Sequence, residues 1–390
     1  MMNLTTMNLI KMRIDMYLKK IILSIALLGT TIVYANTETN NTLTDINTHQ
    51  LAIDLGWLYL KPMSNNHTYA YYVAGTQPDY QNWHAQSVNP DHSSALELGL
   101  QYTLKENQLN LAIEWLHLNS HDSASVDGNQ TVNLANIEFT GPPFEMSPPV
   151  FGIRHADAKL TYHYEDIALN LEKILETPKW MKAKVIPGIN VLYLKQNLTS
   201  KFSDLVGSEP TPYTYPLLPD PSFSFQIEAI SKFIGVGPSL GTTGQIEIMP
   251  GLSLIGTATG SLNVGTISVQ ENFTSTSARL TREGIGVSKQ QITVPNKTQI
   301  VPGFDGKLGL LYQLKNIYHH STNINIEAGY RVISYINAIS TINPQTLVQP
   351  GDNPDVPEFS TGTMAIVSME QQDRPFNMNG PYVEIGFEFL

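Results

Sequence analysis

The chain contains no cysteine, which excludes disulfides and thiolate metal sites. Charge is also scarce, at 15% of residues, and the balance is acidic, with a formal net charge of −11 when histidine is neutral. Nucleic acid recruits basic surfaces, so no nucleic-acid partner is expected. Beyond Ala35, no stretch reaches the roughly 18 uninterrupted apolar residues of a membrane-spanning helix. Hydrophobic residues still make up 42% of the chain. A β-barrel hides its lipid contacts in alternation, so an ordinary average does not exclude one.

Motifs for chemistry are missing as well. The ten histidines are scattered, with no H-E-x-x-H. His319-His320 sits in a short polar turn, where solvated side chains are the usual reading. Gly237-Pro238-Ser239-Leu240-Gly241 matches G-x-S-x-G but lacks the strand-to-helix setting a nucleophile elbow needs. Glycines in such a strand allow bends or close packing. Gly235-Val236-Gly237 opens no βαβ unit, so dinucleotide binding is set aside. No catalytic residue, no metal and no cofactor follows, and a hydrolase reading finds no Ser/His/acid or paired-acid cluster at a rim.

What is present is alternation. From Ala95 to Leu118 the chain reads ALELGLQYTLKENQLNLAIEWLHL. Leu96, Leu98, Leu100, Tyr102 and Leu104 take every second position, and after Lys105-Glu106-Asn107-Gln108 the pattern resumes at Leu109, Leu111, Ile113 and Trp115. A strand puts successive side chains on opposite faces, so this is a hairpin with one oily and one wet face. Each arm is about ten residues, the length a tilted strand needs to cross a bilayer.

The same pattern recurs along the chain. Residues 1–35 read as an N-terminal extension plus signal peptide: Lys19 and Lys20, an apolar run Ile21 to Leu28, and a small-x-small cleavage site at Val33-Tyr34-Ala35. Residues 36–50 form a polar lead-in, and 51–390 the barrel. Leu51 to Leu60 is the first strand, with Ile53, Leu55, Trp57 and Tyr59 on one face and Asp54 and Gly56 on the other. Lys61 to Ser94 and Asn119 to Pro149 are long polar loops. In Val150 to Leu175 the apolar phase slips at Glu165-Asp166, which reads as one strand with a bulge. Lys182 to Leu198 and Phe223 to Ile248 follow, then the tight turn Met249-Pro250-Gly251. Leu252 to Val269, Gln299 to Leu314, Thr322 to Ser340 and Pro381 to Leu390 complete the set, separated by the long stretches Gln270 to Lys297 and Thr341 to Arg374. Long and short connections alternate. The fold class is therefore all-β: a transmembrane antiparallel up-and-down barrel of about ten strands, within a range of about eight to twelve, with short periplasmic turns and long extracellular loops. Trp57, Tyr59, Trp115, Trp180, Tyr193, Tyr312, Tyr330 and Tyr382 fall near strand ends, where an aromatic girdle would sit.

Four stretches carry a family resemblance: ISKFIGVGPSLG (Ile230 to Gly241), LSLIGTATGSLNVG (Leu252 to Gly265), QIVPGFDGKLGLLY (Gln299 to Tyr312) and INIEAGYRVISYINAIS (Ile324 to Ser340). With the ending FNMNGPYVEIGFEFL, they resemble the major outer membrane proteins of Legionella and related bacteria. The resemblance spans nearly the whole mature chain. It implies a barrel in the bacterial outer membrane, regarded as a porin and an exposed surface antigen.

On the face opposite the lipid, the expected pore-lining charges are Glu97, Glu114, Lys184, Glu247, Asp305, Lys307, Glu327, Arg331, Glu384 and Glu388, together with Asp54. Excess acid there would favour cations. The alternative is a plug of ion pairs, for instance Asp305 or Glu327 with Lys307 or Arg331, because eight-stranded barrels are filled by side chains. The expected function is porin-like passage of small hydrophilic solutes. An adhesive or structural role through the outer loops is the alternative. Expected partners are outer-membrane lipid and lipopolysaccharide, the barrel-assembly machinery, a second copy of the chain and host surface molecules.

Overall fold

The computed structural model describes residues 50–77, 80–104, 109–127, 137–138, 152–175, 177–178, 180–207, 220–276, 289–317, 322–349 and 363–389. The signal segment, the turn 105–108 and His319-His320 lie outside them. Every regular element among the described residues is a strand. In chain order they are β1 (Gln50–Met63), β2 (Thr68–Gln77), β3 (Tyr80–Ser87), β4 (Ser93–Leu104), β5 (Leu109–Asp127), β6 (Ile137–Glu138), β7 (Gly152–Leu175), β8 (Met181–Gly207), β9 (Asp220–Met249), β10 (Leu252–Thr276), β11 (Lys289–Thr293), β12 (Lys297–Ile317), β13 (Thr322–Gln349) and β14 (Thr363–Phe389).

Ten of these strands close into a ring, β1-β4-β5-β7-β8-β9-β10-β12-β13-β14, all antiparallel. The seam is β1 against β14, from Leu51↔Phe389 to Met63↔Asn377. The short β11 flanks β10, while β3-β2-β6 form a small separate sheet. The expected hairpin is present, with Ala95 opposite Leu118 and Leu104 opposite Leu109. Gly251 turns the chain between β9 and β10 with φ at +83°, a left-handed value that favours glycine. Gly237 allows close strand approach: a Cβ there would stand 1.8 Å from the Leu262 carbonyl oxygen. The residues of the G-x-S-x-G match thus lie inside an unbroken strand, β9.

The strands outrun the expected spans. β9 has 30 residues, about 100 Å along its axis at ~3.3 Å per residue. A transmembrane barrel shows an apolar band only about 25 Å tall. Much of what reads as long loop is therefore strand. β13 and β14 stay paired up to Gln349↔Thr363, within the stretch expected as the last long loop. Alternating hydrophobicity stops where lipid stops, but backbone pairing does not.

β7 shows what happens at that boundary. Ala156, Ala158, Leu160, Tyr162 and Tyr164 are buried inside the barrel, whereas Leu169 and Leu171 are exposed on its outer surface. The register with β5 and β8 runs uninterrupted through Glu165 and Asp166. The expected bulge is absent: the strand keeps its phase and the apolar residues change sides. At membrane depth the outer face must be oily and the lumen can be wet. Above it the outer face meets water, and the lumen takes over as a hydrophobic core. The largest fully buried side chains of that core are aromatic, with Phe202, Phe225 and Phe273 stacked in a row and Tyr162 against Phe376.

Of the expected girdle, Trp57, Tyr59, Trp180, Tyr312 and Tyr330 are exposed on the outside. Tyr382 departs from it. It lies in the same phase as buried Phe376 and Met378 and is itself buried in the lumen.

A spin label at position 169 is expected to relax with lipid-soluble oxygen, and one at 162 to be shielded from both oxygen and aqueous nickel. Lipid exposure at 162 would restore the bulge.

Candidate functional site

The candidate site is the lumen, which three levels of side chains occupy. At the outer level the segment after β1 folds inward rather than standing as a solvated loop. Asn66 and Gln196 exchange two amide hydrogen bonds of 2.7 and 3.0 Å. His67 Nε2 lies 2.5 Å from the Tyr162 hydroxyl, which also accepts from Gln196 at 2.9 Å. Tyr69, Ala70 and Val88 join the same hydrophobic cluster. Burial pushes the His67 pKa down to about 4, against the opposing pull of the Asp122 carboxylate.

Below this cap, Tyr164 and Tyr335 bring their hydroxyls within 3.1 Å, and both reach Asp166 Oδ2, at 3.1 and 3.0 Å. Asn190 donates to the other oxygen of Asp166. β7 and β13 are halfway round the ring from each other, so the two rings and Asp166 tie opposite walls together.

The middle level is ionic. Glu97, on β4, accepts from Lys307 Nζ at 2.9 and 3.0 Å and from Arg331 Nη1 at 2.8 Å. Arg331 holds Asp305 through both of its carboxylate oxygens, at 3.0 and 2.6 Å. This fork-to-carboxylate geometry is the strong form of the pair. Lys307 also reaches Glu384 at 3.5 Å and stands 5.7 Å over the Tyr382 ring, whose hydroxyl donates to Glu327. Register explains the grouping. Lys307 and Arg331 are cross-strand partners, as are Glu327 and Glu384. A further pairing lies on the β4–β8 wall, where Glu172 takes Lys184 at 2.9 Å, Gln101 at 3.0 Å and Asn110 at 3.1 Å.

Three cavities separate these contacts. One of about 60 Å³ lies between Arg331, Asp166 and Tyr335. One of about 170 Å³ is bordered by Asp54, Glu114, Lys307 and Glu327. A third, of about 230 Å³, lies toward the inner mouth among Lys182, Gln313, Asn325 and Glu388. Glu388 there accepts from Asn325 at 2.6 Å and Asn323 at 3.2 Å. Among the described residues, Asp54 and Glu114 have neither a hydrogen-bond nor an ion-pair partner.

Of the charges singled out from sequence, Glu97, Asp305, Lys307, Arg331 and Glu384 converge in the central network. Asp54, Glu114 and Glu327 border the cavity beneath it. Lys184 and Glu388 sit lower on the wall, and Glu247 is exposed near the lower rim, outside the network. Sequence reasoning missed Asp166, Glu172, Tyr164, Tyr335 and Tyr382. The expected bulge hid Asp166, but Glu172 had the inward phase and was legible.

Outer membrane protease OmpT from Escherichia coli is 10% identical, with 90% of this chain and 99% of that chain covered at a TM-score of 0.37. A major outer membrane protein from Thermus thermophilus is 11% identical, with 67% and 99% covered at a TM-score of 0.27. CarO of Acinetobacter baumannii is 10% identical, with 66% and 96% covered at a TM-score of 0.24. No curated protein matches the chain. The family model described as Legionella pneumophila major outer membrane protein precursor matches residues 46–389. The chain therefore belongs to that family of bacterial outer-membrane proteins.

Proposed function

We propose that this barrel is a porin-like, non-enzymatic protein that passes small hydrophilic solutes with a preference for cations, and that the conformation described here is closed. The supporting observation is the imbalance of charge in the lumen. Arg331, Lys307 and Lys184 are each engaged by acids, while Asp54 and Glu114 have no hydrogen-bond or ion-pair partner among the described residues and stand beside the 170 Å³ cavity. A purely structural plug would do best with paired charge, because an unpaired ion out of water is costly. Acids that water and mobile cations can reach escape that cost and bias what enters.

One observation favours a second reading, a surface-exposed adhesive or structural barrel. The Tyr164–Tyr335 contact crosses the lumen, and the Glu97–Arg331 pair narrows it further. Under that reading, trimming the outer loops abolishes binding to host surfaces and conduction is never seen.

In planar bilayers with a salt gradient, the reversal potential is expected on the cation side, and Glu114→Gln with Glu327→Gln should move it toward zero. Tyr335→Ala is expected to raise single-channel conductance severalfold, at a stability cost of about 3 kcal/mol. Silent bilayers for both wild type and Tyr335→Ala, after verified insertion, would leave the adhesive reading. Acid offers another test. The cap holds His67 neutral, so its full stability is present above the ordinary histidine pKa of 6.5 and is lost as pH falls toward 4. Conductance should therefore rise over that window, and His67→Gln should flatten the rise.

A further inference from the structure

Outside the lumen, one cluster on the barrel's outer face has the makings of a metal site. On β5 and β7 two successive rungs of the same face place His117 opposite Glu165 and Asn119 opposite His163. The rung below carries Trp115 and Ile167, where the apolar band ends. Side chains on one face of neighbouring rungs stand close enough to share a ligand. Here His117 Nδ1 is 2.8 Å and His163 Nε2 is 3.3 Å from the same Glu165 oxygen, Oε1. The three ligand atoms all lie within 4.8 Å of one another, and the side chains are only partly buried.

We propose that His117, His163 and Glu165 bind a divalent transition-metal ion of the zinc class, with the fourth position open to water. Two imidazoles and one carboxylate form a donor set that zinc accepts, with ligand bonds of about 2.0–2.2 Å. Tetrahedral bonds of that length put ligand atoms about 3.4 Å apart. The His163–Glu165 separation is already there, and the His117–Glu165 separation must open by about half an ångström.

The surroundings are arranged as a metal site requires. Metal-bound histidines are normally held by a hydrogen bond at the far ring nitrogen. Asn119 supplies it to His163, whose Nδ1–H donates to the Asn119 oxygen at 2.5 Å, while the Asn119 amide nitrogen donates to His117 Nε2 at 2.9 Å in the metal-free state. That arrangement gives His163 the Nδ1–H tautomer and leaves its Nε2 lone pair facing Glu165. The second oxygen of Glu165 accepts from Trp115 Nε1 at 2.6 Å, which leaves Oε1 for the ion. The Tyr193 ring packs edge-on against His163 at 5.3 Å between centroids. In the metal-free state His117 Nδ1–H donates to Glu165, so the ion takes Nδ1 as the ring shifts its proton to Nε2, which gives up the Asn119 amide hydrogen bond and turns its N–H to water.

The test uses the full mature chain without a histidine tag, folded in detergent, titrated with Zn²⁺ by calorimetry and with Co²⁺ by visible absorption. One Zn²⁺ per chain is expected at this site, with the d–d bands of tetrahedral Co²⁺. His163→Ala and Glu165→Gln should each weaken this binding at least tenfold, and Asn119→Ala by roughly tenfold through the His163 ring it holds. His121→Ala, farther along β5, should leave it unchanged. Retained heat-modifiable migration verifies that each variant folds, and His163→Gln serves if the alanine variant does not. Absence of saturable binding overturns the proposal, as does binding that survives His163→Ala or His163→Gln intact.

Discussion

A peptide group in hydrocarbon has no water to bond, and leaving it unpaired costs several kcal/mol. Every strand of this barrel that meets lipid answers that constraint by pairing on both sides, and the ring closes at β1 and β14 so that no edge is left in the bilayer. With the backbone saturated, each face is free to match what it touches. Leu169, Val236 and Leu308 can stand exposed on the outer surface because at that height lipid is the solvent. The acids of the lumen can stand inside because there the alternative to lipid is water or a counter-charge.

The filled lumen follows from strand number. Ten strands make a ring narrow enough for side chains from opposite walls to meet, as Tyr164 meets Tyr335, and for those of strands not paired with each other to meet, as Arg331 meets Glu97. Such contacts stiffen the barrel, and each is also a place where a path through it is interrupted. The ionic level combines the two roles: Arg331 is fixed by Asp305 and Glu97 together, while Glu114 nearby is held by nothing among the described residues.

Much of this was legible in the residues because lipid reads every second side chain. Ile53, Leu55 and Trp57 against Asp54 and Gly56 disclosed the faces of β1, and the same logic placed Glu97, Asp305, Lys307 and Arg331 on the lumen face. The reading failed where the solvent outside the barrel changes. Tyr162 and Leu169 are both apolar and differ in phase, and one-dimensional alternation cannot tell a bulge from a strand that leaves the membrane. Tyr382 failed for a related reason, since an aromatic near a strand end suits either a girdle or a lumen wall. The outer cluster was out of reach altogether: His117 and His163 are 46 positions apart, and only the β5–β7 register puts them on one face.

The seam has a kinetic meaning as well as a structural one. Leu51 must find Phe389, a contact between the two ends of the folded sequence and the most non-local in the barrel. Loop-closure entropy makes such a pairing the slowest kind to nucleate. Until it forms, β1 and β14 each present a bare row of amides and carbonyls to whatever is near. The ring therefore cannot be finished one hairpin at a time as the chain emerges. It must wait for its last strand, and in that interval both open edges have to be kept from pairing with other chains.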